Sequence, residues 1–205
     1  MLTLCLYRLG GKLHKYQYSQ KGLTFIEVLI ALVILVTGIL GAVAMQASAK
    51  KGSFDAMQRS LASSLAQDII NRMRVNDPTT LVAYEGTAFG TGVIDEDDVT
   101  RCHASNTLCT SAQLVQLDLF LWEQALMGAD VVNGTANVGG LVGAVGCIDH
   151  ETATVNGVTT NDVTIIISWQ GKVEIADGAT DADKTCGGDD VNSKRRQIVI
   201  DTRII

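Results

Sequence analysis

Between Leu23 and Ala49 the only ionisable side chain is Glu27. About 20 apolar residues suffice to cross a bilayer core as a helix, so this run limits the chain to architectures with a long apolar helix at one end. A carboxylate within a membrane helix costs roughly 2.5–3.5 kcal/mol, and such residues usually have a partner or a function. The economical reading is that Glu27 compensates a positive charge supplied by another chain.

Ahead of the run, residues 1–22 hold Arg8, Lys12, Lys15 and Lys21 and no acid. The positive-inside rule then keeps this extension cytoplasmic and exports the C-terminal bulk, a bias that Lys50 and Lys51 weaken without reversing. A cleaved secretory signal would end a shorter apolar run in small residues. A plain single-pass anchor accounts for the hydrophobicity but leaves Gly22 and Glu27 unexplained at their spacing.

The basic leader, Gly22, and the run Leu23-Thr24-Phe25-Ile26-Glu27-Val28-Leu29-Ile30-Ala31-Leu32 together resemble the class III signal of type IV pilins and type II secretion pseudopilins. That resemblance implies cutting by a membrane prepilin peptidase between Gly22 and Leu23, with methylation of the new Leu23 amine. It also implies that Thr24, Phe25 and Glu27 belong to an assembly segment, and that partners are the inner membrane and the helices of other minor pilins and a major pilin. Leu23 stands where the family usually has an aromatic residue or methionine. The charge logic holds independently, because an amine on one subunit and a carboxylate on its neighbour would neutralise each other where a lone charge is expensive.

Further along, several pieces resemble the minor-pilin group of type IV pilus modification proteins, the PilV proteins. They are Ile39-Leu40-Gly41 with Gln46, the segment Gln67–Asn76, Gly146-Cys147-Ile148, Val163–Trp169, and a last strand after Cys186. The resemblance implies a low-abundance subunit that primes, caps or displays a pilus. A minor pseudopilin of type II secretion shares the same physical features. Loss of helical regularity at Gly38 and Gly41 during assembly is likewise an implication of the family, with close helix packing through small residues as the alternative.

Without the leader the chain carries 12 basic and 22 acidic residues, which argues against nucleic acid as a partner. The basic cluster Lys194-Arg195-Arg196 reads as the solvated start of a strand. Cys5 would leave with the leader. Cys102, Cys109, Cys147 and Cys186 remain, and an even number in an exported domain suggests disulfides with three possible pairings. Cys102–Cys109 would close a short loop before a helix, and Cys147–Cys186 would tie a strand to an acidic loop, so this pairing is favoured. A zinc site on Cys102, His103 and Cys109 is the alternative, with a spacing that matches no standard ligand pair. No cofactor is expected, and no serine or cysteine sits in a recognisable nucleophile setting, so an enzyme is not expected. His150 beside Asp149 reads as a surface pair.

After Ala49, Phe54, Met57, Leu61, Leu65, Ile69 and Met73 recur at helical spacing among charged residues, which predicts one apolar stripe on a wet helix. Asn76-Asp77-Pro78 should end it. Residues 79–109 read as a loop-rich connector, with Asp95–Asp98 a solvated acidic run rather than a calcium loop. A second helix is predicted from the capping box at Thr110 and Gln113 to Gly128, with Leu114, Leu117, Leu121 and Ala125 on its apolar face and Trp122 as a packing anchor. Strands are predicted at 141–150, 152–155, 158–160, 163–169 and 196–205, with a hairpin at Asn156-Gly157. The loops 79–109 and 176–192 would serve an exported binding module or adhesin.

The resulting expectation is an α+β protein in which a long helix lies across an antiparallel sheet of three to five strands. Its parts are a leader (1–22), a membrane and assembly half of the helix (23–49), an amphipathic half (50–76) and an exported head (77–205).

Overall fold

In a computed structural model, the apolar run and the amphipathic stretch form one helix, α1 (Phe25–Val75). The structure describes residues 22–102, 108–155, 158–172, 174, 186–187 and 194–204. The chain falls into two compact units, Met1–Gln46 and Ala47–Ile205. Among the described residues, the first unit is the apolar part of α1 and the short segment before it.

The second unit, the head, is α+β. Its other elements are β1 (Gly86–Phe89), α2 (Ser111–Met127), β2 (Val132–Asn133), β3 (Ala136–Asn137), β4 (Val145–Val155), β5 (Val158–Gln170) and β6 (Arg195–Ile204). One antiparallel sheet runs in the order β1-β4-β5-β6, and β2 pairs with β3 separately. α1 ends before Asn76, and the Asp77 side chain accepts from the Thr79 N–H at 2.9 Å to open a 3-10 turn, Pro78–Tyr84. That turn, β1 and a second 3-10 turn at Glu96–Asp98 are the short regular pieces within the loop-rich connector expected for residues 79–109.

The stripe on α1 is buried from Leu65 onward, with Ala62, Ala66, Ile69, Ile70 and Met73. At its lower end it departs from the expectation. Met57 is exposed while Gln58 is buried, because the Gln58 side-chain oxygen accepts from the Val142 N–H at 3.1 Å. The sheet answers with Ile148, Val163, Ile165, Ile167 and Trp169 on its inner face. On the outer face, Ile166 packs with Cys147 and Cys186.

α2 begins with the expected capping box at Thr110 and Gln113, and ends at Gly128 with φ 68°, a conformation that glycine adopts without penalty. Its buried residues, however, are Val115, Asp118, Leu119, Phe120, Trp122, Glu123 and Leu126, centred about one residue round from the predicted stripe. Two acids occupy core positions because each finds a full set of donors. Trp122 does anchor the helix. Its indole N–H donates to the Leu65 carbonyl at 2.9 Å, and it lies against Gly146, where a Cβ would come within 2.5 Å of the ring.

Both long strands run through positions where the sequence suggested breaks. His150, Glu151 and Thr152 pair with Val163, Asp162 and Asn161 without interruption. Asn161 bonds the His150 ring at 3.0 Å, and Asp162 accepts two hydrogen bonds from Arg203 at 2.6 and 3.0 Å. Polar residues that would end an isolated strand are thus satisfied across the sheet. His150 is accordingly a mid-strand residue whose ring bonds Asn161, while its backbone N–H donates to the Asp149 carboxylate at 3.1 Å. The Asn156-Gly157 turn lies outside the described residues, although pairing reaches Val155 and Val158 on either side. Residues 141–144 precede the strand as a loop, held by the Leu141 N–H donating to the Leu126 carbonyl at 3.3 Å.

The basic cluster does stand at the start of β6, with Lys194 just before it, and all three residues are half-buried rather than fully solvated. Arg196 pairs with Asp55 of α1 at 3.5 Å, and Arg195 donates to Ser168 at 2.6 Å. Of the acidic run, Asp95 caps its own turn and Glu96 pairs with Arg101.

Asp118 of α2 ties together α1, the residue that follows it and the first 3-10 turn. It accepts from Arg72 at 3.2 Å, Asn76 at 2.9 Å and the Tyr84 hydroxyl at 2.8 Å. Burial first, then the hydrogen bond to Asp118, pushes the Tyr84 hydroxyl above the usual tyrosine range. A pKa raised by folding contributes stability that is complete below the unfolded value near 10 and is lost as pH rises beyond it. Tyr84→Phe should therefore lose about 1–2 kcal/mol at pH 8 and show a shallower decline than the parent between pH 10 and 11. Urea unfolding of both proteins at the two pH values measures this, and parallel declines would refute it.

Disulfides join Cys102 to Cys109 and Cys147 to Cys186, closing loops of 7 and 39 residues. Loop-closure entropy alone assigns them about 2 and 4 kcal/mol respectively. The unreduced protein should show no free thiol at these four positions by mass spectrometry, and the Cys147→Ser/Cys186→Ser pair should destabilise more than its counterpart.

Candidate assembly site

The sequence places Thr24 three residues before Glu27, the spacing of an N-terminal capping box. The structure uses half of it. Thr24 Oγ1 accepts from the Glu27 N–H at 3.4 Å, and the Thr24 carbonyl accepts from Glu27 and Val28 at 3.1 and 3.3 Å. Gly22, Leu23 and Thr24 precede the helix, Phe25 is its first residue, and Glu27 lies in its first turn. The Thr24–Glu27 spacing signals this cap, which the apolar pattern of the run does not.

The Glu27 carboxylate therefore sits at the positive end of the helix dipole, a favourable place for an anion. Among the described residues no side chain bonds or pairs with it. Its surroundings are apolar and open, with Leu23 at 76 % exposure and Phe25 at 80 %. The same exposure continues along the helix through Leu40 and Val43. None of the most apolar stretch of α1 is buried, and it is long enough to cross a membrane. A surface of this kind is covered by lipid or by other apolar helices, since monomeric proteins rarely leave so large a patch in water. The one hydroxyl deep in it is satisfied internally, with Thr37 donating to the carbonyls of Val33 and Ile34.

Gly38 and Gly41 are helical in the isolated chain, and a Cβ at either would meet nothing within 4 Å. The four cysteines sit in the head, away from this segment in sequence. Of the zinc alternative, His103 lies outside the described residues. Among the described residues no three His, Cys, Asp or Glu side chains are grouped to hold a metal.

Comparison with known families gives two adjoining matches. Residues 18–43 match the prokaryotic N-terminal methylation motif, and residues 44–120 match the family described as type IV pilin Tt1218. No curated protein and no solved structure matches the chain. The first match contains Gly22, Leu23, Thr24, Phe25, Glu27, Gly38 and Gly41, while the second contains the head half of α1 and most of α2.

Proposed function

We propose that this chain is a type IV pilin carrying a prepilin N-methylation motif, and within that family a minor pilin of the PilV kind. It is a structural subunit rather than a catalyst. Prepilin peptidase cuts between Gly22 and Leu23 and methylates the Leu23 amine. The product waits in the inner membrane with residues 23–49 in lipid and its head in the periplasm, then enters a pilus through helix contacts with other minor pilins and the major pilin.

The observation that carries this reading is the exposed Glu27 carboxylate, without a partner among the described residues, at the head of an uncovered apolar helix. Extraction from lipid is offset when the same surface is buried among similar helices, and the carboxylate then meets the amine of an adjoining subunit.

Gly22→Val should leave a chain that still carries residues 1–22, visible as a larger band in membrane fractions. Mature-size protein from this variant would refute the cleavage assignment. Deleting the gene should abolish or thin the pili while leaving protein secretion intact. Loss of a secreted exoprotein with normal pili would instead identify a minor pseudopilin.

A further inference from the structure

We propose that Asn133 is a self-modification site, at which the tip of the β2–β3 hairpin converts its own side-chain amide into aspartate and isoaspartate. The hairpin pairs Val132 with Asn137 and Asn133 with Ala136, so Gly134 and Thr135 form the turn. The chemistry needs an accessible amide carbon, a following backbone nitrogen that nothing crowds, and a chain free to turn between them. Asn133 is exposed, and among the described residues nothing hydrogen-bonds its side chain. Gly134 has φ 65°, and a Cβ built on it would meet nothing within 4 Å. A hairpin of two residue pairs is marginal by itself, so its tip opens locally while the core stays closed. Its base is held, with the Val138 N–H donating to the Val131 carbonyl at 2.8 Å and Gly128 packed so close to Gly140 that neither has room for a Cβ.

The other asparagines among the described residues each lack a requirement. Asn76 and Asn161 are buried and hydrogen-bonded, and Asn71 is fixed within α1. Asn137 is exposed on the same hairpin, but Val138 follows it, and a branched side chain crowds the attacking nitrogen. The second Asn-Gly of the chain, Asn156-Gly157, lies outside the described residues.

The Gly134 nitrogen, its proton passed to hydroxide, attacks the Asn133 Cγ. The N–Cγ bond forms, the Cγ–Nδ2 bond breaks, and ammonia leaves a five-membered succinimide. Water then opens the ring. Addition at Cγ releases the Gly134 nitrogen back to the ordinary backbone and gives aspartate. Addition at the Asn133 main-chain carbonyl gives isoaspartate, whose backbone runs through Cβ and Cγ and is one carbon longer. Between Asp130 and Asp149 the chain has no charged side chain, and the hairpin and the segment after it expose Val131, Val132, Val138 and Val142. The new carboxylate is the first charge in that stretch, so an apolar surface of the head turns acidic as the protein ages. The longer backbone of isoaspartate also breaks the pairing of Asn133 with Ala136. None of this depends on assembly into a pilus.

The test incubates the full-length protein, folded in detergent at pH 8, and follows it by peptide mass spectrometry after cleavage at glutamates. The peptide 124–151 then holds Asn133 and Asn137, while Asn156 falls in another. It should gain the mass difference between a hydroxyl and an amino group, with a transient species lighter by one ammonia. Fragment spectra should place the change on Asn133 as both aspartate and isoaspartate. Conversion there should outpace that at Asn137 by about tenfold or more, the effect of one unfavourable steric contact in the transition state. Asn133→Gln should abolish it, since the corresponding six-membered ring closes slowly. Conversion in urea-unfolded protein but not in folded protein would overturn the proposal, and so would equal rates at Asn133 and Asn137.

Discussion

Glu27→Leu is expected to leave membrane insertion unchanged and to lower the share of the chain found in purified pili by about 100-fold. The substitution makes the apolar run more hydrophobic, so insertion has no reason to suffer. In the filament, however, it strands the amine of the adjoining Leu23 among apolar helices. Breaking one partner of a buried ion pair costs about 3–5 kcal/mol, and every 1.4 kcal/mol is tenfold in an equilibrium. Glu27→Gln separates charge from hydrogen bonding, since it retains an acceptor and should restore only part of the loss. Quantitative immunoblots of sheared pili against membrane fractions measure both variants. Wild-type incorporation of the leucine variant would remove the basis for pairing between subunits.

In the head, Glu123→Leu is expected to cost about 4 kcal/mol or more, which places it among the most damaging single changes. Glu123 is fully buried on α2, yet its carboxylate accepts from four backbone N–H groups, those of Gly90, Gly92, Val93 and Ile94, at 2.9–3.1 Å. Each buried donor left without an acceptor costs about 1–3 kcal/mol. Glu123→Gln keeps the oxygen that serves three of them but can turn an amide toward the Ile94 N–H, so it should cost about half as much. Circular dichroism during urea unfolding of the full-length chain in detergent gives the stabilities. If the leucine variant loses under 1 kcal/mol, the carboxylate is not what holds residues 90–94.

The two helices were legible in the sequence because each has local marks. α1 has its apolar run, its stripe and a terminator at Asn76-Asp77-Pro78, and α2 has Thr110, Gln113 and Gly128. The packing face of α2 was not legible. Apolar spacing alone selected Leu114, Leu117, Leu121 and Ala125, whereas the buried face includes Asp118 and Glu123, whose donors lie 29 to 46 residues away in the chain. The same distance effect hid the continuity of β4 and β5, where Asn161 and Asp162 look like breakers until Ile204 and Arg203 stand beside them. The assembly segment, by contrast, is contiguous. Gly22 through Glu27 lie within the stretch that matches the N-terminal methylation motif, and that match could be anticipated because the motif is written in consecutive residues.

Both tryptophans of the chain, Trp122 and Trp169, are enclosed in the head core, and the run from Leu23 to Ala49 has neither tryptophan nor tyrosine. Tryptophan emission thus reports only on the folded head. Detergent exchange or transfer between bilayers should leave the emission maximum in place, whereas denaturation should move it to the red, so the integrity of the head can be followed optically without a label while the greasy part changes its surroundings.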